Sequence, residues 1–561
     1  FGSWITPGLT ANLKFAFDAM NYQHVARTKT PPQYMASGRD EEGNLIKTPT
    51  VVGEESLSLG KSSNSRRTVY LEASINYSRT FGKHSVGALF LYQHSQKNFV
   101  NSSETDPDKF LPYRNQGIAG RVTYDYADRY FIEGNFGYNG SENFSPGNRF
   151  GFFPSVAVGW AMSNEKWFEP AKEVIDLLKF KASYGLVGND QIGGGRRFIY
   201  LETIESGYDY YFGSSNTKYT GIRLGDYPNP NVGWETVRKL NVGVDMSFFG
   251  KAKVQVDYFD EDRSGIFLQS SSIPEIAGLV NKPWINVGKM HNRGIDASLD
   301  YHQKIGQVDL TARANFTYAH NTILDNDQPE WEYAYQNRIG QSNWQTFGLV
   351  ADGLFQSQEE IDAWPTQKFG EVKPGDIRYL DINGDGVVDD YDKKPIGFPD
   401  VPEISYGFGA SVRWKGFDVS IFFQGIDNVN FFINNSYTQP FIANKTRHSN
   451  VFADLYDNYW TEDNRDAKYP RLTIGSNTNN NQASTFWMVD GRYIRLKNAE
   501  IGYTLPKSLT ARAHIDRLRI YVSGVNLLTF APFKLWDPDL QTGAAGYPNN
   551  RVYNIGATLV F

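Results

Sequence analysis

The 561-residue chain contains no cysteine and no apolar run approaching 18 residues. The first absence excludes disulfide frameworks, zinc–cysteine sites and thiol catalysis. The second excludes a membrane bundle of helices, because a helix needs about 20 apolar residues to cross a bilayer. The net charge is also small, at −6 from 56 basic and 62 acidic residues. Such a balance does not provide a general polyanion-binding surface, so we expect no nucleic-acid partner.

Catalytic signatures are also scarce. The eight histidines are scattered, and none belongs to a His-Glu-x-x-His metal motif. Gly60-Lys61-Ser62 matches the end of a nucleotide-binding phosphate loop, but Glu55 stands where the first glycine of that loop belongs. Carboxylates are too numerous for a glycosidase pair to be nominated. We therefore expect a protein that is not an enzyme.

The dominant positive signal is an alternation of apolar and polar residues with period two, which is typical of β-strands. Between residues 308 and 318, apolar residues occupy every second position and polar residues the positions between them. The same pattern recurs at 69–77 and 404–414. For a strand that crosses a membrane, it predicts one face toward lipid and one toward a lumen. The predicted lipid-facing residues are Leu310, Ala312, Phe316, Phe408 and Val412, and the predicted luminal residues are Arg313, Asn315, Ser411 and Arg413.

The links between these strands are of two kinds. Very short links that contain Gly or Asp, such as Phe81-Gly82-Lys83, Ala127-Asp128-Arg129 and Lys415-Gly416, predict hairpin turns. Polar links rich in Gly, Asn and Pro occupy 25–55, 97–113, 186–235, 323–345 and 428–490. Short turns on one side and long loops on the other are typical of outer-membrane barrels.

Alternating strands also build soluble sandwiches, whose apolar face is the core. Aromatic residues near strand ends, such as Tyr124, Trp160 and Trp414, favour the membrane barrel because such rings form interfacial girdles. The sequence thus predicts an all-β, transmembrane antiparallel β-barrel with about 16–18 strands in this chain. A single helix is predicted from about Asn164 to Leu178, with Pro170 early in it.

One motif has the spacing of a calcium loop. Ca²⁺ requires several oxygen ligands that converge at about 2.3–2.6 Å, and a twelve-residue loop can supply them. The predicted ligands are the side chains of Asp381, Asn383, Asp385, Asp389 and Asp392 and the carbonyl of Val387, with Gly386 at the sharp turn. The alternative is a β-turn rich in Asn and Asp, because Asn-Gly and Asp-Gly form turns without a metal. A bound Ca²⁺ would be structural.

Two aromatic runs lie in the long loops and are candidates for substrate binding. The first comprises Tyr208, Tyr210, Tyr211 and Phe212, and the second comprises Trp331, Tyr333 and Tyr335. Exposed rings can stack on sugar faces or pack against a partner, and they can also pack within their own loop.

Several specific stretches carry a family resemblance, and they occur in order over about residues 110–561. The stretches are 113–117, 121–126, 153–156, Gly159-Trp160, 183–185, 188–190, Pro230-Asn231, 234–236, 286–288, 292–294, Gly375-Asp376, Tyr469-Pro470-Arg471, 493–498, 502–506, 526–528 and Asp537-Pro538. Together they resemble the SusC-like (RagA-like) TonB-dependent transporters of the Gram-negative outer membrane.

The resemblance implies a 22-stranded barrel with an internal plug that imports oligosaccharides or peptides across the cell outer membrane. It further implies a SusD-like surface lipoprotein over the extracellular mouth and a TonB complex that acts through the plug region. Residues 1–561 would then be the carboxy-terminal part of the barrel, with the plug and the first strands outside this sequence. We therefore expect residues 552–561 to lack a partner near residues 9–17.

Two other classes of protein stay open. One is a barrel that serves as an adhesin or a passive outer-membrane pore. The other is a secreted β-rich protein that binds or degrades glycans.

Overall fold

The computed structural model describes residues 6–101, 111–192, 196–434, 438–441, 451–542 and 546–561. Sixteen strands within this part of the chain form one antiparallel sheet in which sequence neighbours are spatial neighbours. In chain order they are β1 (Leu9–Thr28), β2 (Ser58–Phe81), β3 (His84–Asn101), β4 (Tyr113–Tyr126), β5 (Tyr130–Ser141), β6 (Phe150–Ala161), β7 (Ile175–Asn189), β8 (Glu235–Phe248), β9 (Ala252–Gln269), β10 (Trp284–Ile305), β11 (Val308–Asp325), β12 (Ile404–Trp414), β13 (Phe417–Asp427), β14 (Tyr493–Thr504), β15 (Arg517–Phe530) and β16 (Val552–Val560). This sheet confirms the predicted all-β, antiparallel architecture and the lower predicted number of strands.

The connections alternate between the two ends of the sheet. The links after β2, β4, β8, β10 and β12 are tight turns, and the predicted turns at Gly82 and Gly416 have positive φ angles of 60° and 88°. Glycine adopts this left-handed conformation without a steric penalty. The links at 29–57, 190–234, 326–403 and 428–492 all lie at the opposite end. The predicted asymmetry of short turns and long loops is therefore confirmed.

The strand register places the apolar residues on one face of the sheet. Leu310 lies opposite Val412, and Phe316 lies opposite Tyr406, whereas Arg313 lies opposite Gly409 on the other face. A one-residue slip would exchange the two faces of a strand. The shared register thus confirms that the predicted apolar set forms a continuous face, which we call the apolar face. The opposite side is the polar face.

The predicted helix from Asn164 to Leu178 is wrong. A 3-10 helix occupies Lys166–Ala171 and contains Pro170, and Leu177 and Leu178 belong to β7. There they pair with β8, in which Leu178 lies opposite Met246. Sheet pairing satisfies their backbone groups over the whole strand, so tertiary context overrides the local helical spacing.

The remaining elements lie in the links between the sheet strands. The short strands are Gln33–Arg39 with Leu45–Val51, Ile204–Phe212 with Thr217–Leu224, Phe347–Gly348 with Lys394–Pro395, Ala351–Leu354 with Ile377–Tyr379, Thr366–Gln367 with Val387–Val388, and Asn430–Phe432 with Met488–Asp490. In the described segments the α-helices are Gln358–Ala363, Ala453–Asn458 and Lys507–Thr510, and the other 3-10 helices are Met162–Asn164, Glu275–Ala277, Ala334–Gln336, Asp390–Asp392, Ala511–Ala513 and Pro538–Leu540. Within the described ranges, no helix has the length and apolar character needed to span a bilayer.

The long links after β11, β13 and β15 pack together into a body with its own hydrophobic core, which we call the loop core. Its fully buried members include Leu349, Ile377, Tyr379, Leu455 and Trp487. The link after β11 runs over 326–403, well beyond the predicted 323–345, because the acidic motif and its flanking residues fold into this body.

Within the described residues, each outer strand of the sheet has one unpaired edge. Strand β1 pairs with β2 over its whole length, and β16 pairs with β15, with Val552 opposite Val525. These two strands are the ends of the sheet order, and no ladder joins them in the residues described. A smaller barrel closed by residues 9–17 and 552–561 is therefore not formed.

Candidate functional site

The loop core is organised around one buried carboxylate. Asp376 is fully buried and accepts a hydrogen bond from Arg471 Nη2 at 3.0 Å, and Arg471 Nε lies 2.8 Å from its Oδ1 as an ion-pair contact. The side-chain amides of Asn477 and Asn480 donate to the same carboxylate at 2.8 and 2.9 Å. A buried charge is tolerated only when it is paired and hydrogen-bonded, so this network holds the links after β11 and β13 together.

The close packing around Asp376 requires a glycine at the preceding position, Gly375. It has a φ of +88°, and a Cβ atom built on it would lie 2.3 Å from Cε3 of Trp460. Its carbonyl accepts the backbone N–H of Arg471 at 2.9 Å. Two stretches that carry the family resemblance, Gly375-Asp376 and Tyr469-Pro470-Arg471, thus meet in space.

A buried arginine joins the strands to the last long link. Arg495 on β14 donates to Asp537 at 2.5 Å and to Asp539 at 2.6 Å, and its Nε donates to Thr529 at 3.0 Å. Its residue surface is only 1% exposed. The resemblance stretches 493–498 and Asp537-Pro538 are therefore in direct contact.

The acidic loop between Asp381 and Asp392 is closed by its own backbone amides. Asp381 accepts the N–H groups of Gly384 and Gly386 at 2.7 and 2.9 Å, and Asp385 accepts that of Val387 at 2.8 Å. Asp392 accepts the N–H of Ile382 at 2.7 Å. Each carboxylate offers about four lone-pair sites, so these bonds leave acceptor capacity for a cation.

The charges of this loop are only partly compensated. Lys368 lies 3.2 Å from Asp389, but no Lys, Arg or His in the described residues lies within ion-pair distance of Asp381, Asp385 or Asp392. Asp392 is fully buried. Among the described residues, three carboxylates of the loop therefore have no counter-ion.

The second aromatic run packs against this loop. The rings of Tyr333 and Tyr335 stack with centroids 5.5 Å apart, and the Tyr335 hydroxyl donates to the carbonyl of Tyr391 at 2.6 Å. Burial and then the Asp392 carboxylate raise the pKa of Tyr335 to about 12. Trp331 is more exposed, at 43%. The structure thus joins two sets of predicted site residues that the sequence had left separate.

The first aromatic run lies on the hairpin formed by Ile204–Phe212 and Thr217–Leu224. Tyr208, Tyr210 and Phe212 occupy alternate positions of the first strand and therefore share one face. Tyr210 lies opposite Tyr219, and Phe212 lies opposite Thr217. The Arg223 guanidinium lies over the Tyr208 ring at 3.3 Å. Tyr210 and Phe212 are 62% and 61% exposed, so their rings are available to a ligand or a partner.

Sequence reasoning missed a cavity of about 660 Å³ at the loop end of β3–β7, on the polar face. Its lining residues include Lys97, Tyr113, Arg114, Glu142, Asn189 and Arg197. Arg197 donates to the carbonyls of Leu111 and Pro112 at 2.7 and 2.9 Å, and its guanidinium lies 3.7 Å from the Tyr113 ring centre. The stretch 113–117 was singled out only for its family resemblance, and no spacing rule would have linked it to Arg197.

The fold agrees with comparisons with known proteins. Residues 3–527 match the family model described as TonB dependent receptor-like, beta-barrel. The chain belongs to this family of outer-membrane receptors and transporters.

Individual relatives of the chain are also TonB-dependent receptors. The chain is 27% identical to TonB-dependent receptor P3 of Formosa agariphila, over 93% of this chain and 55% of that protein. It is 25% identical to TonB-dependent receptor SusC of Bacteroides thetaiotaomicron, over 79% of this chain and 43% of that protein. The chain thus spans about half the length of the curated relatives it matches.

Among solved structures, the RagAB peptide transporter superposes with a TM-score of 0.73 at 21% identity, over 99% of this chain and 60% of that chain. The same transporter in its closed-closed state gives a TM-score of 0.72. At this level of sequence identity, the structural similarity is evidence for the fold alone.

Proposed function

We propose that the protein is an outer-membrane transporter of the SusC/RagA type that imports a nutrient oligomer, either an oligosaccharide or a peptide, with energy supplied through TonB. The observation that carries this proposal is the family match over residues 3–527, together with a sheet whose long links fold into an organised body at one end. An apolar face along the sheet supports placement of the barrel in a Gram-negative outer membrane, where lipid contacts that face.

The partners in this proposal are a SusD-like surface lipoprotein and the TonB complex. The aromatic hairpin that carries Tyr208, Tyr210 and Tyr211 supports contact with the substrate or with the lipoprotein, because its rings are exposed. Trp331 is a second contact of this kind. The packing of Tyr333 and Tyr335 on the acidic loop supports a role for them in shaping that loop.

The two free edges of the sheet support the presence of further barrel strands. An unpaired amide or carbonyl within hydrocarbon costs several kcal/mol, so β1 and β16 both require partners. We propose that strands from outside residues 1–561, with a plug, complete a barrel of the 22-stranded type. A map of the full-length assembly should show β16 hydrogen-bonded to a strand outside this sequence, and direct pairing of β16 with β1 would contradict the proposal.

We propose that the acidic loop holds a structural Ca²⁺. Asp381, Asn383, Asp385, Asp389 and Asp392 and the Val387 carbonyl would supply the oxygen ligands. The three carboxylates without a protein counter-ion support this assignment, because a divalent cation would relieve their repulsion.

Uptake by live cells tests the transport function. A strain that lacks the gene is complemented with the full-length protein and supplied with defined oligosaccharides or peptides as the sole carbon source. Growth restored on one polymer class, and lost again when TonB is deleted, is the expected result. Uptake that persists without TonB would indicate a passive pore, and growth unchanged by the gene would indicate an adhesin. Full solubility without detergent would instead favour the secreted glycan-binding protein.

Co-purification tests the partner. The full-length protein carrying an affinity tag is solubilised in mild detergent, and the bound proteins are identified by mass spectrometry. A SusD-like lipoprotein in stoichiometric amount is expected, and its absence from a transport-competent strain would remove the partner from the proposal.

A further inference from the structure

We propose that Asp260, Asp262 and His291 form a binding site for a divalent transition-metal ion of the Zn²⁺ type on the apolar face of the sheet. The site joins β9 to β10, and its geometry is independent of the proposed transport function. It is distinct from the acidic loop, which offers oxygen ligands only.

Strand geometry brings the three residues together. Asp260 and Asp262 are two positions apart on β9 and therefore project from the same face. His291 on β10 lies directly opposite Asp262 in the register. One potential ligand atom from each residue lies within 4.8 Å of the others. In the described parts of the chain, this is the one group of three or more His, Asp or Glu side chains that meets this distance criterion.

The distances within the group suit a metal. His291 Nε2 lies 3.4 Å from Asp260 Oδ2, which is long for a hydrogen bond. Two ligands that each bind Zn²⁺ at about 2.0–2.1 Å in a tetrahedral arrangement are about 3.4 Å apart, so the spacing equals a tetrahedral edge. Open positions would be taken by water.

The surrounding hydrogen bonds are those of a metal-bound histidine. His291 Nδ1 lies 2.9 Å from Asp262 Oδ1, so this nitrogen can donate its proton there and fix the ring while Nε2 binds the ion. The Tyr258 hydroxyl donates to Asp260 Oδ2 at 3.1 Å and orients that carboxylate. Asp262 thus acts as the outer-shell partner that orients His291, and Asp260 and His291 are the direct protein ligands.

Charge also favours a cation. Arg238 lies opposite Asp262 and Arg293 lies opposite Asp260 in the register. Yet in the residues described, His291 is the one basic side chain within ion-pair distance of either carboxylate. Two carboxylates thus share one imidazole, and a metal ion would balance them. The imidazole nitrogen selects Zn²⁺, Co²⁺, Ni²⁺ or Cu²⁺ over Ca²⁺ and Mg²⁺, which prefer oxygen.

Metal titration of the full-length protein in detergent tests the site. After treatment with a chelator, Zn²⁺ binding is measured by calorimetry, and Co²⁺ binding by its visible absorption. The wild-type protein is expected to bind an equivalent of Zn²⁺ that His291→Ala and Asp260→Asn lose. Asp262→Asn should weaken binding by about 10–100-fold, because it removes an outer-shell partner of the histidine.

Two controls make the result specific. His302 lies 2.9 Å from Asp309 with no second carboxylate in its group, so His302→Ala should keep the full stoichiometry. Asp381→Ala should also keep it, which separates this site from the acidic loop. Heat-modifiable migration on gels verifies that each variant is folded. Absence of Zn²⁺ binding in the wild-type protein, or equal binding in folded His291→Ala, would overturn the proposal and leave His291 as an ion-pair partner of both aspartates.

Discussion

Arg471 Nε lies 2.8 Å from Oδ1 of Asp376, a residue 95 positions earlier in the chain whose carboxylate is fully buried. The two residues belong to different long links, so their ion pair fixes how these links pack over the end of the sheet. The loop core is therefore an organised body.

The first prediction concerns this pair. Arg471→Ala should destabilise the loop core by about 3–5 kcal/mol, because it leaves a buried carboxylate without its counter-ion. The sheet should persist, since its ladders do not involve either residue. Hydrogen exchange should show faster exchange in 326–403 and 428–492 with unchanged protection of β11–β13.

Lys468→Ala is the matched control for Arg471→Ala. Lys468 pairs with Asp454 at 2.7 Å in the same region, but its side chain is 56% exposed. Exposed pairs contribute about 0–1 kcal/mol, so exchange should hardly change. Equal exchange in both variants would show that the Asp376–Arg471 pair does not hold the loop core.

The second prediction concerns the two faces of β11. Phe316→Arg places a cation on the apolar face, which costs up to about 2–4 kcal/mol near the middle of a bilayer. Thr317→Arg places it on the polar face, where Thr317 already donates to Asp296 at 2.7 Å. Phe316→Arg should therefore reduce assembly and heat resistance much more than Thr317→Arg. Equal yields of folded protein would argue against lipid contact of the apolar face.

The third prediction concerns calcium. Asp381→Ala and Asp385→Ala should abolish Ca²⁺ binding and increase proteolysis of the acidic loop, while the sheet stays folded, because the metal would neutralise and order the loop. Asp390→Ala is the control, since Asp390 is 81% exposed and pairs with Lys393 at 2.6 Å. If proteolysis of the wild-type protein is the same with Ca²⁺ and with a chelator, the acidic loop does not bind Ca²⁺.

The fourth prediction concerns pH. Because the pKa of Tyr335 is raised to about 12 from its ordinary value of 10, the folded loop disfavours the tyrosinate. This contribution to stability is complete below pH 10 and is lost as the pH rises from about 10 through 12. The ionisation of Tyr335 is measured as the difference between wild-type and Tyr335→Phe absorbance at 295 nm.

Calcium should change this ionisation. Bound Ca²⁺ would offset the carboxylates of Asp381, Asp385 and Asp392, which raise the pKa of Tyr335. The midpoint should therefore fall when Ca²⁺ is added. A midpoint near 10 without Ca²⁺ would mean that Tyr335 is not buried against the acidic loop.

Local sequence patterns were sufficient to predict the sheet strands cited above and their faces. Alternation over 308–318 predicted the side of the sheet on which Phe316 and Arg313 lie, because the side-chain period of a strand is strictly two. Glycine at 82 and 416 marked the turns, since both positions need a positive φ. The acidic motif and the aromatic runs were also visible, because their chemistry depends on residues close together in the chain.

Contacts between residues that are distant in the sequence became visible only in the tertiary structure. Leu177 and Leu178 have helical spacing but form a strand, because pairing with β8 outweighs a local preference. The contacts of Asp376 with Arg471, of Arg495 with Asp537 and of His291 with Asp260 join separate strands or links, and no local pattern specifies such pairs. They form because a buried or crowded polar group needs a hydrogen-bonding or ion-pair partner, and only the packed chain determines which partner lies within reach.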